Sequence, residues 1–211
     1  MLIDSKLLKS WIDTTKSKGI FHIGANSCQE LSLYEHTFGI PPSQIVWIEA
    51  IPWIVDSMKE KGIQNIYQTV FDEIPGEVSF KVTNNDGQSS SILDLKTHLI
   101  QHPSVQVSQT LLLKTETFEH FVNSNSLPTG CLDFLVMDIQ GAELQVLRGS
   151  PGILKDVKMI CTEVNVEELY AGAGLFHDLT AFLKEHNFTC ISSCLTGNGW
   201  GDALYIKDLY V

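Results

Sequence analysis

Positively charged residues are scarce in this chain: 14 lysines and arginines stand against 25 aspartates and glutamates among 211 residues. The formal net charge is −11, and no run of basic residues provides a local exception. Nucleic acids are bound largely through Lys and Arg contacts to phosphates, so this composition disfavours DNA and RNA as partners. We expect a small-molecule or glycan partner instead. The oligomeric state stays open, with a homodimer among the alternatives.

Disulfide pairs, zinc signatures and membrane-spanning runs are also missing from the sequence. The five cysteines are odd in number and scattered, which favours buried free thiols over a disulfide framework. Cys190 and Cys194 lie close together, but without a second pair nearby they make a poor zinc signature. We find neither a signal-peptide pattern nor an apolar run long enough to span a bilayer. These features predict a soluble, cytoplasmic protein with no membrane partner.

What the sequence does contain is an alternation of short apolar strands and amphipathic helices. A chain of 211 residues can bury one substantial core, so we predict a single domain over residues 1–211. Apolar strands that alternate with helices favour an α/β fold with a mostly parallel sheet and helices on both faces. The predicted strands are Ile20–Ile23, Ile45–Ile48, Asn65–Val70, Gly76–Val82, Leu111–Thr115, Leu132–Met137, Val157–Thr162, Phe188–Ser193 and Ala203–Lys207, the last at or near an edge.

Two further segments are predicted to cover the sheet or the ligand site. Residues 1–18 contain an amphipathic helix, Asp4–Thr15, that lies against the sheet or over the site. Residues 84–107 begin with the most turn-rich stretch of the chain, and we expect irregular or weakly helical structure there. This segment is our candidate for a mobile lid that binds the acceptor. Trp200, flanked by glycines, suits either stacking on a sugar ring or anchoring its loop.

The first strand runs into a tight turn that begins at Gly24. Ser27 and Glu30 fit a capping box, so we predict that a helix follows the turn directly. Free backbone amides at the positive end of a helix commonly bind a carboxylate or a phosphate. The turn is therefore a candidate anion site, although a glycine before a helix also occurs as a plain structural turn.

Polar residues recur at the ends of the predicted strands. In parallel sheets, ligands bind outside the carboxyl ends of the strands, so these residues are expected to face one crevice. They are Gly24 and Asn26 after the first strand, Glu49 after the second, Asp138 after a later central one, and Glu163 and Asn165 after the next. Glu49 lies 25 positions beyond Gly24, near the spacing at which a carboxylate binds a ribose, although an isolated Glu after a strand is commonly a surface group.

Three stretches resemble one known family. They are His22-Ile-Gly24-Ala25-Asn26, Ile48-Glu49 and Leu135-Val-Met-Asp138-Ile-Gln140-Gly-Ala-Glu-Leu144. Together they resemble the FkbM family of S-adenosylmethionine-dependent methyltransferases, over roughly residues 20–206. The resemblance implies a class I methyltransferase (Rossmann-like) fold with a seven-stranded sheet. It also implies S-adenosylmethionine as the cofactor and methyl transfer to a hydroxyl oxygen, often of a sugar or polyketide.

The resemblance suggests cofactor residues, but several positions depart from the family pattern. Where family members commonly have an acid, a glycine, a lysine and a glutamate, this chain has His22, Cys28, Met137 and Gln140. Gln140 puts an acid/base role at its position in doubt, and His22 either meets the amino-acid end of the cofactor or is a core residue. The predicted cofactor-binding residues are His22, Gly24, Ala25, Asn26, Glu49, Ala50, Val70, Ser90 and Asp138.

Methyl transfer to an alcohol requires an in-line acceptor oxygen and help with the loss of its proton. Either a positioned base or a divalent cation can provide that help. Asp138, Glu163 and Asn165 are oxygen donors suited to Mg, Mn or Ca, in a placement similar to catechol O-methyltransferase-like enzymes, although carboxylates there would also suit substrate hydroxyls. Asp138, Glu163 and His177 are the predicted catalytic residues, with His177 alternatively a surface residue.

Two rival functions stay open at this point. A nicotinamide-dependent oxidoreductase would use a similar sheet, but the first turn has one glycine where the dinucleotide fingerprint has three. A non-catalytic cofactor-binding domain of a glycan-assembly complex is left open by His22 and Gln140. We predict an O-methyltransferase that acts on a hydroxyl of a sugar or glycan.

Overall fold

Short strands in which every residue is buried form the centre of the fold. The computed structural model describes residues 1–211. The strands are β1 Ile20–Ile23, β2 Ile45–Glu49, β3 Ile66–Gln68, β4 Val70–Phe71, β5 Gly76–Thr83, β6 Val107–Glu116, β7 Phe134–Met137, β8 Met159–Asn165, β9 Phe188–Leu195 and β10 Trp200–Lys207. The α-helices are α1 Ser5–Thr15, α2 Pro52–Glu60, α3 His98–Gln101, α4 Phe118–Ser124, α5 Glu143–Arg148 and α6 Phe176–Glu185.

Seven of the strands form one sheet in the order β3-β2-β1-β7-β8-β10-β9. Its strands pair in parallel except for β10, which is antiparallel to both of its neighbours. The burial of every residue in β1, β2, β7 and β8 is typical of strands covered on both sides. The predicted α/β fold with a mostly parallel seven-stranded sheet is confirmed.

Helices cover both faces of this sheet, because successive side chains of a strand point to opposite sides. Phe21 and Ile23 of β1 pack into one apolar cluster with residues of α4, α5 and α6. Ile20 packs into a second cluster with residues of α1 and α2. Leu8 and Ile12 of α1 belong to this second cluster, so the amino-terminal helix lies against the sheet and not over the ligand site. None of the helices has the length and apolar character needed to cross a membrane.

β4, β5 and β6 form a second, three-stranded sheet. The sequence pattern does not show to which sheet these strands belong. The order of this second sheet is β4-β6-β5, with β5 antiparallel and β4 parallel to β6. The strand predicted over Asn65–Val70 is in fact two strands, β3 in the main sheet and β4 in the second. The chain changes sheets at Thr69, whose amide donates to the carbonyl of Glu49 while its hydroxyl donates to Glu116, 2.8 Å away.

The far end of the main sheet contains the last two strands of the chain. Ala203–Lys207 was predicted at or near an edge, and β10 lies next to the edge strand β9, inserted between β8 and β9. Residues 203–206 are all buried, whereas β9 is exposed over much of its length. Pairing with β10 also extends β8 as far as Asn165, so that Glu163 lies within the strand instead of after it.

Candidate active site

A cavity of about 380 Å³ opens at the carboxyl ends of the central strands. Its walls come from the turns after β1, β2 and β7, from β8, and from residues 85–105. Most of the residues predicted from the sequence lie in these walls. They are His22, Gly24, Ala25, Asn26, Glu49, Ala50, Val70, Ser90, Asp138 and Glu163. Asn165 and His177 are not among the lining residues. The structure therefore brings side chains distant in sequence around one space.

The first three amides of the turn after β1 are not free, in contrast to our prediction. The N–H groups of Gly24 and Ala25 both donate to the carbonyl of Ile48 at 2.9 Å. The N–H of Asn26 donates to Oε2 of Glu49 at 2.8 Å. These three amides therefore cannot provide the predicted anion site, because the neighbouring strand β2 already uses them.

Gly24 holds this turn against the end of β7. Its φ of +88° is unfavourable for side-chain-bearing residues, and an added Cβ would stand 1.9 Å from the carbonyl oxygen of Asp138. The predicted helix is present but begins later than the capping box implies: the chain first forms turns, and the helical residues are 31–32 and then the π-helix Leu33–Thr37. Ser27 and Glu30 form no reciprocal cap, and Glu30 lines the cavity. Gly24 is therefore needed for close packing against Asp138, and the predicted capping box does not start the helix.

Glu49, the last residue of β2, is a buried acid that lines the cavity. Its carboxylate is buried and accepts hydrogen bonds from the N–H groups of Asn26 and Ile51, each at 2.8 Å. Burial raises the pKa of Glu49, although the backbone hydrogen bonds oppose that shift. Each carboxylate oxygen has a further lone pair for a ligand hydroxyl. The ribose role of Glu49 stays a prediction, and this geometry leaves room for it.

His22 is tied into the core although its ring reaches the cavity. Its Nδ1 lies 3.1 Å from the hydroxyl of Tyr34, and its ring centroid is 5.1 Å from that of Trp47. Burial lowers the pKa of His22 to about 4, so the ring is neutral at physiological pH. The core alternative for His22 accounts for these contacts, and a contact of its ring with the cofactor stays a prediction.

Gln140 bridges the two carboxyl groups on which the predicted chemistry depends. Its Nε2 donates to Oδ1 of Asp138 at 2.5 Å and to Oε2 of Glu163 at 2.6 Å. The hydroxyl of Tyr170 donates to Gln140 Oε1 at 2.5 Å, which turns the amide nitrogen toward the carboxyl groups. The departure from the family's glutamate therefore has a local role: an amide donor stands between two acids.

Two carboxyl groups beside Gln140 and Asp138, those of Glu163 and Glu143, favour their protonated forms because their pKa values are raised. Burial, followed by the negative charges of Asp138 and Glu143, raises the pKa of Glu163 well above its ordinary range. Burial also raises the pKa of Glu143 to about 7, against the hydrogen bonds that its carboxylate accepts from the amides of Ile139 and Gly141. Sequence reasoning missed Glu143, whose signal is an acid at the start of a helix that directly follows the Asp138 motif.

Two histidines that sequence reasoning did not single out face the opposite end of the cavity. His98 and His102 both line it, and their ring centroids are 4.9 Å apart. Trp200 and Leu169 complete this wall. The available signal was the spacing of four between the two histidines inside the predicted acceptor segment, residues 84–107. The segment does line the site, and its mobility stays a prediction.

Comparison with known proteins identifies the family. A family model described as the methyltransferase FkbM domain matches residues 22–190. The chain belongs to the FkbM methyltransferase family. The resemblance predicted from the three sequence stretches is thereby confirmed.

This FkbM domain is similar to two known proteins, one compared by sequence and one by structure. The "2-O-methyltransferase NoeI" of Sinorhizobium fredii (strain NBRC 101917 / NGR234) is 27% identical over 113 residues, 51% of this chain and 46% of NoeI. The structure of methyltransferase FkbM from Methylobacillus flagellatus KT is similar over 90% of this chain and 43% of its own, with a TM-score of 0.55 and 13% identity. The latter likeness shows the shared fold. In both comparisons the chain covers less than half of the relative's length.

The predicted metal site does not fit the geometry of this FkbM domain. No group of three or more His, Cys, Asp or Glu side chains is placed to hold a metal ion. Gln140 Nε2, a hydrogen-bond donor, stands between Asp138 and Glu163. The third predicted ligand, Asn165, is outside the cavity and donates to Glu163 Oε1 at 3.4 Å. A donor between the two carboxyl groups occupies the place that Mg, Mn or Ca would need.

The structure does not support His177 as a base. Its side chain is 75% exposed, and its Nε2 lies 3.4 Å from Oδ1 of Asp178. The first turn of α6 directs it away from the cavity that holds Asp138 and Glu163. His177 is therefore a surface residue, which is the alternative that the sequence left open.

Proposed function

We propose that this FkbM domain transfers a methyl group from S-adenosylmethionine to a hydroxyl oxygen of a small-molecule or glycan acceptor. One observation carries the proposal: a single cavity joins the buried carboxylate of Glu49, at the end of β2, to the acidic cluster around Asp138. The 2-O-methyltransferase name of NoeI supports oxygen as the accepting atom. The family match over residues 22–190 supports methyl transfer.

The cofactor side suits a nucleoside. Ala50, Val70, Phe71 and Phe80 supply apolar wall beyond Glu49, as a flat base requires, and the Glu49 carboxylate offers lone pairs to ribose hydroxyls. The volume of about 380 Å³ is within the range of small-ligand sites, roughly 300–1,000 Å³. These residues therefore fit the methyl donor that the family implies.

The chain's own contribution to catalysis is orientation and proton handling. Bound S-adenosylmethionine would supply a methyl group already activated by its sulfonium. Gln140 holds Asp138 and Glu163 at fixed positions, and Tyr170 holds Gln140. Such a preorganised polar cluster can position the acceptor hydroxyl in line without rearranging during the reaction.

We propose a sugar as the acceptor class because of the wall opposite Glu49. Trp200 lines the cavity there and packs with Leu169 and Tyr170 in a small apolar cluster. A partly buried indole gives a flat apolar face that matches the faces of sugar rings. Carboxyl groups on the other side of the cavity would bind the ring hydroxyls. A tritium-transfer assay with methyl hexopyranosides, with simple phenols as the comparison, tests this choice.

Calorimetric titration tests the cofactor. We expect S-adenosylhomocysteine to bind the wild type and NAD to release no heat. Glu49→Ala should weaken S-adenosylhomocysteine binding at least about tenfold, because a buried hydrogen-bonding carboxylate is lost. Glu77→Ala, which removes an exposed acid outside the cavity, is the matched control and should bind as the wild type does. No heat from S-adenosylhomocysteine with the folded wild type, or heat from NAD alone, would overturn the proposal.

A further inference from the structure

His98 lies in the part of the cavity that we assign to the acceptor. Its side chain is buried, and one of its ring nitrogens has no hydrogen-bond partner. Its side chain is 5% exposed, yet it lines the cavity. Its Nδ1 is buried and has no hydrogen-bond partner. A buried polar atom without a partner is costly, and in native structures it calls for an explanation such as a functional role. Nδ1 is closed off from solvent, so a ligand in the cavity would reach the imidazole through the other ring nitrogen, Nε2, which is not closed off in this way.

The segment that carries His98 is firmly attached to the chain after β8. The N–H of Lys96 donates to the carbonyl of Leu169 at 2.8 Å, and the hydroxyl of Thr97 donates to the carbonyl of Glu168 at 2.9 Å. The N–H of Ala171 donates back to the carbonyl of Asp94 at 2.8 Å. The residues just before the four-residue helix α3 are thus held by hydrogen bonds, which fixes the backbone position of His98, its first residue.

This attachment also relates His98 to the acidic cluster. The ring of Tyr170 lies 5.5 Å from the ring of His98, measured between centroids, and the hydroxyl of Tyr170 donates to Gln140. Gln140 in turn bridges Asp138 and Glu163. The acceptor wall and the cluster at the ends of β7 and β8 are therefore parts of one connected structure.

Three other candidate bases are less suited to accept a proton. His22 bonds to Tyr34 in the core, and His177 is on the surface. Glu163 favours its protonated form, because burial and neighbouring negative charges raise its pKa. Burial lowers the pKa of His98, and so does the neighbouring His102, which leaves the imidazole neutral and able to accept a proton near neutral pH.

We propose that His98 is the catalytic base that takes the proton from the acceptor hydroxyl; this inference rests on the proposed function. As the acceptor oxygen forms its bond to the methyl carbon, the carbon–sulfur bond breaks and its electron pair stays on sulfur. The O–H proton passes to Nε2 of His98, the ring nitrogen accessible from the cavity, and the resulting imidazolium later releases the proton to solvent. Atoms and charge balance without a metal or a further reactant.

The decisive comparison is His98→Gln against His120→Gln. His120 is an exposed histidine on α4, so its variant controls for the loss of an imidazole alone. With the methyl hexopyranoside that the wild type methylates best, we expect turnover of His98→Gln to fall about 100-fold, within the range for a general base. S-adenosylhomocysteine affinity measured by calorimetry should stay within about twofold, because Glu49 and its surroundings are untouched.

The pH profile separates a base from a merely structural residue. A base must be deprotonated, so wild-type turnover should decline as the pH falls through the lowered pKa of His98, below the ordinary histidine value of about 6.5. The titratable or charged groups that face His98 are His102 on its own helix and Tyr170, while Lys96 and Glu168 pair with each other. Loss of this acidic decline in His98→Gln, with its retention in His102→Gln, is the expected result.

Each other outcome overturns a defined statement. Wild-type turnover and an unchanged pH profile in His98→Gln would overturn the inference and leave the proposed function standing. If His98→Gln binds no S-adenosylhomocysteine, the test uses His98→Asn and an NMR titration of the His98 ring in the wild type instead. A signal of the His98 ring that does not change when the hexopyranoside is added would overturn the inference. Binding of S-adenosylhomocysteine without methylation of any sugar by the wild type would instead remove the acceptor class, and the base assigned to it.

Discussion

The two ends of the cavity are built in different ways. The end around Glu49 is formed by the termini of β1 and β2, and its backbone amides are bonded to neighbouring strands or to the Glu49 carboxylate. The end around His98 is formed by connecting segments, and it contains a buried ring nitrogen with no partner. We infer that the first end recognises a common cofactor and the second a particular acceptor. Loops on a rigid scaffold are where specificity usually resides.

The largest expected effect comes from breaking the Glu49 end at its glycine. Gly24→Ala should lower the free energy of unfolding by about 3 kcal/mol, because a Cβ would collide with the Asp138 carbonyl and the backbone φ is positive. Urea denaturation measures the change. Gly39→Ala is the control, since Gly39 also has positive φ but open space around it; its cost should be about 1 kcal/mol. Equal losses in the two variants would contradict the close-packing role of Gly24.

The next effect concerns the Gln140 amide, which bridges Asp138 and Glu163. Gln140→Glu places a third carboxyl group beside Asp138 and Glu163, and should lower the free energy of unfolding by about 1–3 kcal/mol near neutral pH. Three acids can then hold a hard cation, so Mn²⁺ should raise the melting temperature of the variant and leave the wild type unchanged. Gln109→Glu, on an exposed site of β6, serves as the control. Clear stabilisation of the wild type by Mn²⁺ would contradict our account of Gln140.

A smaller effect is expected in the pH dependence of stability. Burial raises the pKa of Glu143 from 4.5 to about 7, so its contribution is full below pH 4.5 and is lost as the pH rises to about 7. Over this window we expect the free energy of unfolding to fall by about 1–3 kcal/mol, with Glu163 acting in the same direction. Urea midpoints at several pH values measure it. Glu143→Gln should flatten the curve, and an unchanged slope would show that other groups cause it.

The smallest effect is expected outside the cavity. His177→Ala removes an exposed imidazole beside Asp178, so turnover should change less than about twofold and stability by less than about 0.5 kcal/mol. Initial rates under saturating cofactor measure the first. A large loss of turnover would restore His177 as a catalytic candidate and would move the acceptor end toward α6.

Much of the cavity around Glu49 could be predicted from the sequence, because the residues that line it lie at the ends of strands. Apolar runs mark β1, β2 and β7, and the residue that follows a parallel strand faces the ligand edge; this logic found Gly24, Glu49 and Asp138. It could not show that the turn amides are occupied, since their acceptor, the Ile48 carbonyl, belongs to another strand. Local pattern does not encode such long-range hydrogen bonds.

The His98 end was largely beyond prediction. The helix α3 has four residues, too few for a periodic signal, and its position depends on hydrogen bonds to the carbonyls of Glu168 and Leu169 about seventy residues later. The crossing at Thr69 and the order of β9 and β10 were not predicted, for a related reason. Strand order is set by pairing between distant segments, whereas a single apolar run reports only that its residues are buried.

The carboxylate of Glu49 has a consequence for how a ligand is received. Amides from both flanking turns clamp its two oxygens, so the side chain has one orientation before anything enters. The rotational freedom of that group is lost when the chain folds, and little of it is left to lose on association. An incoming nucleoside therefore meets a carboxylate that is already oriented. The rate at which the nucleoside binds is governed by diffusion and by access through the opposite wall.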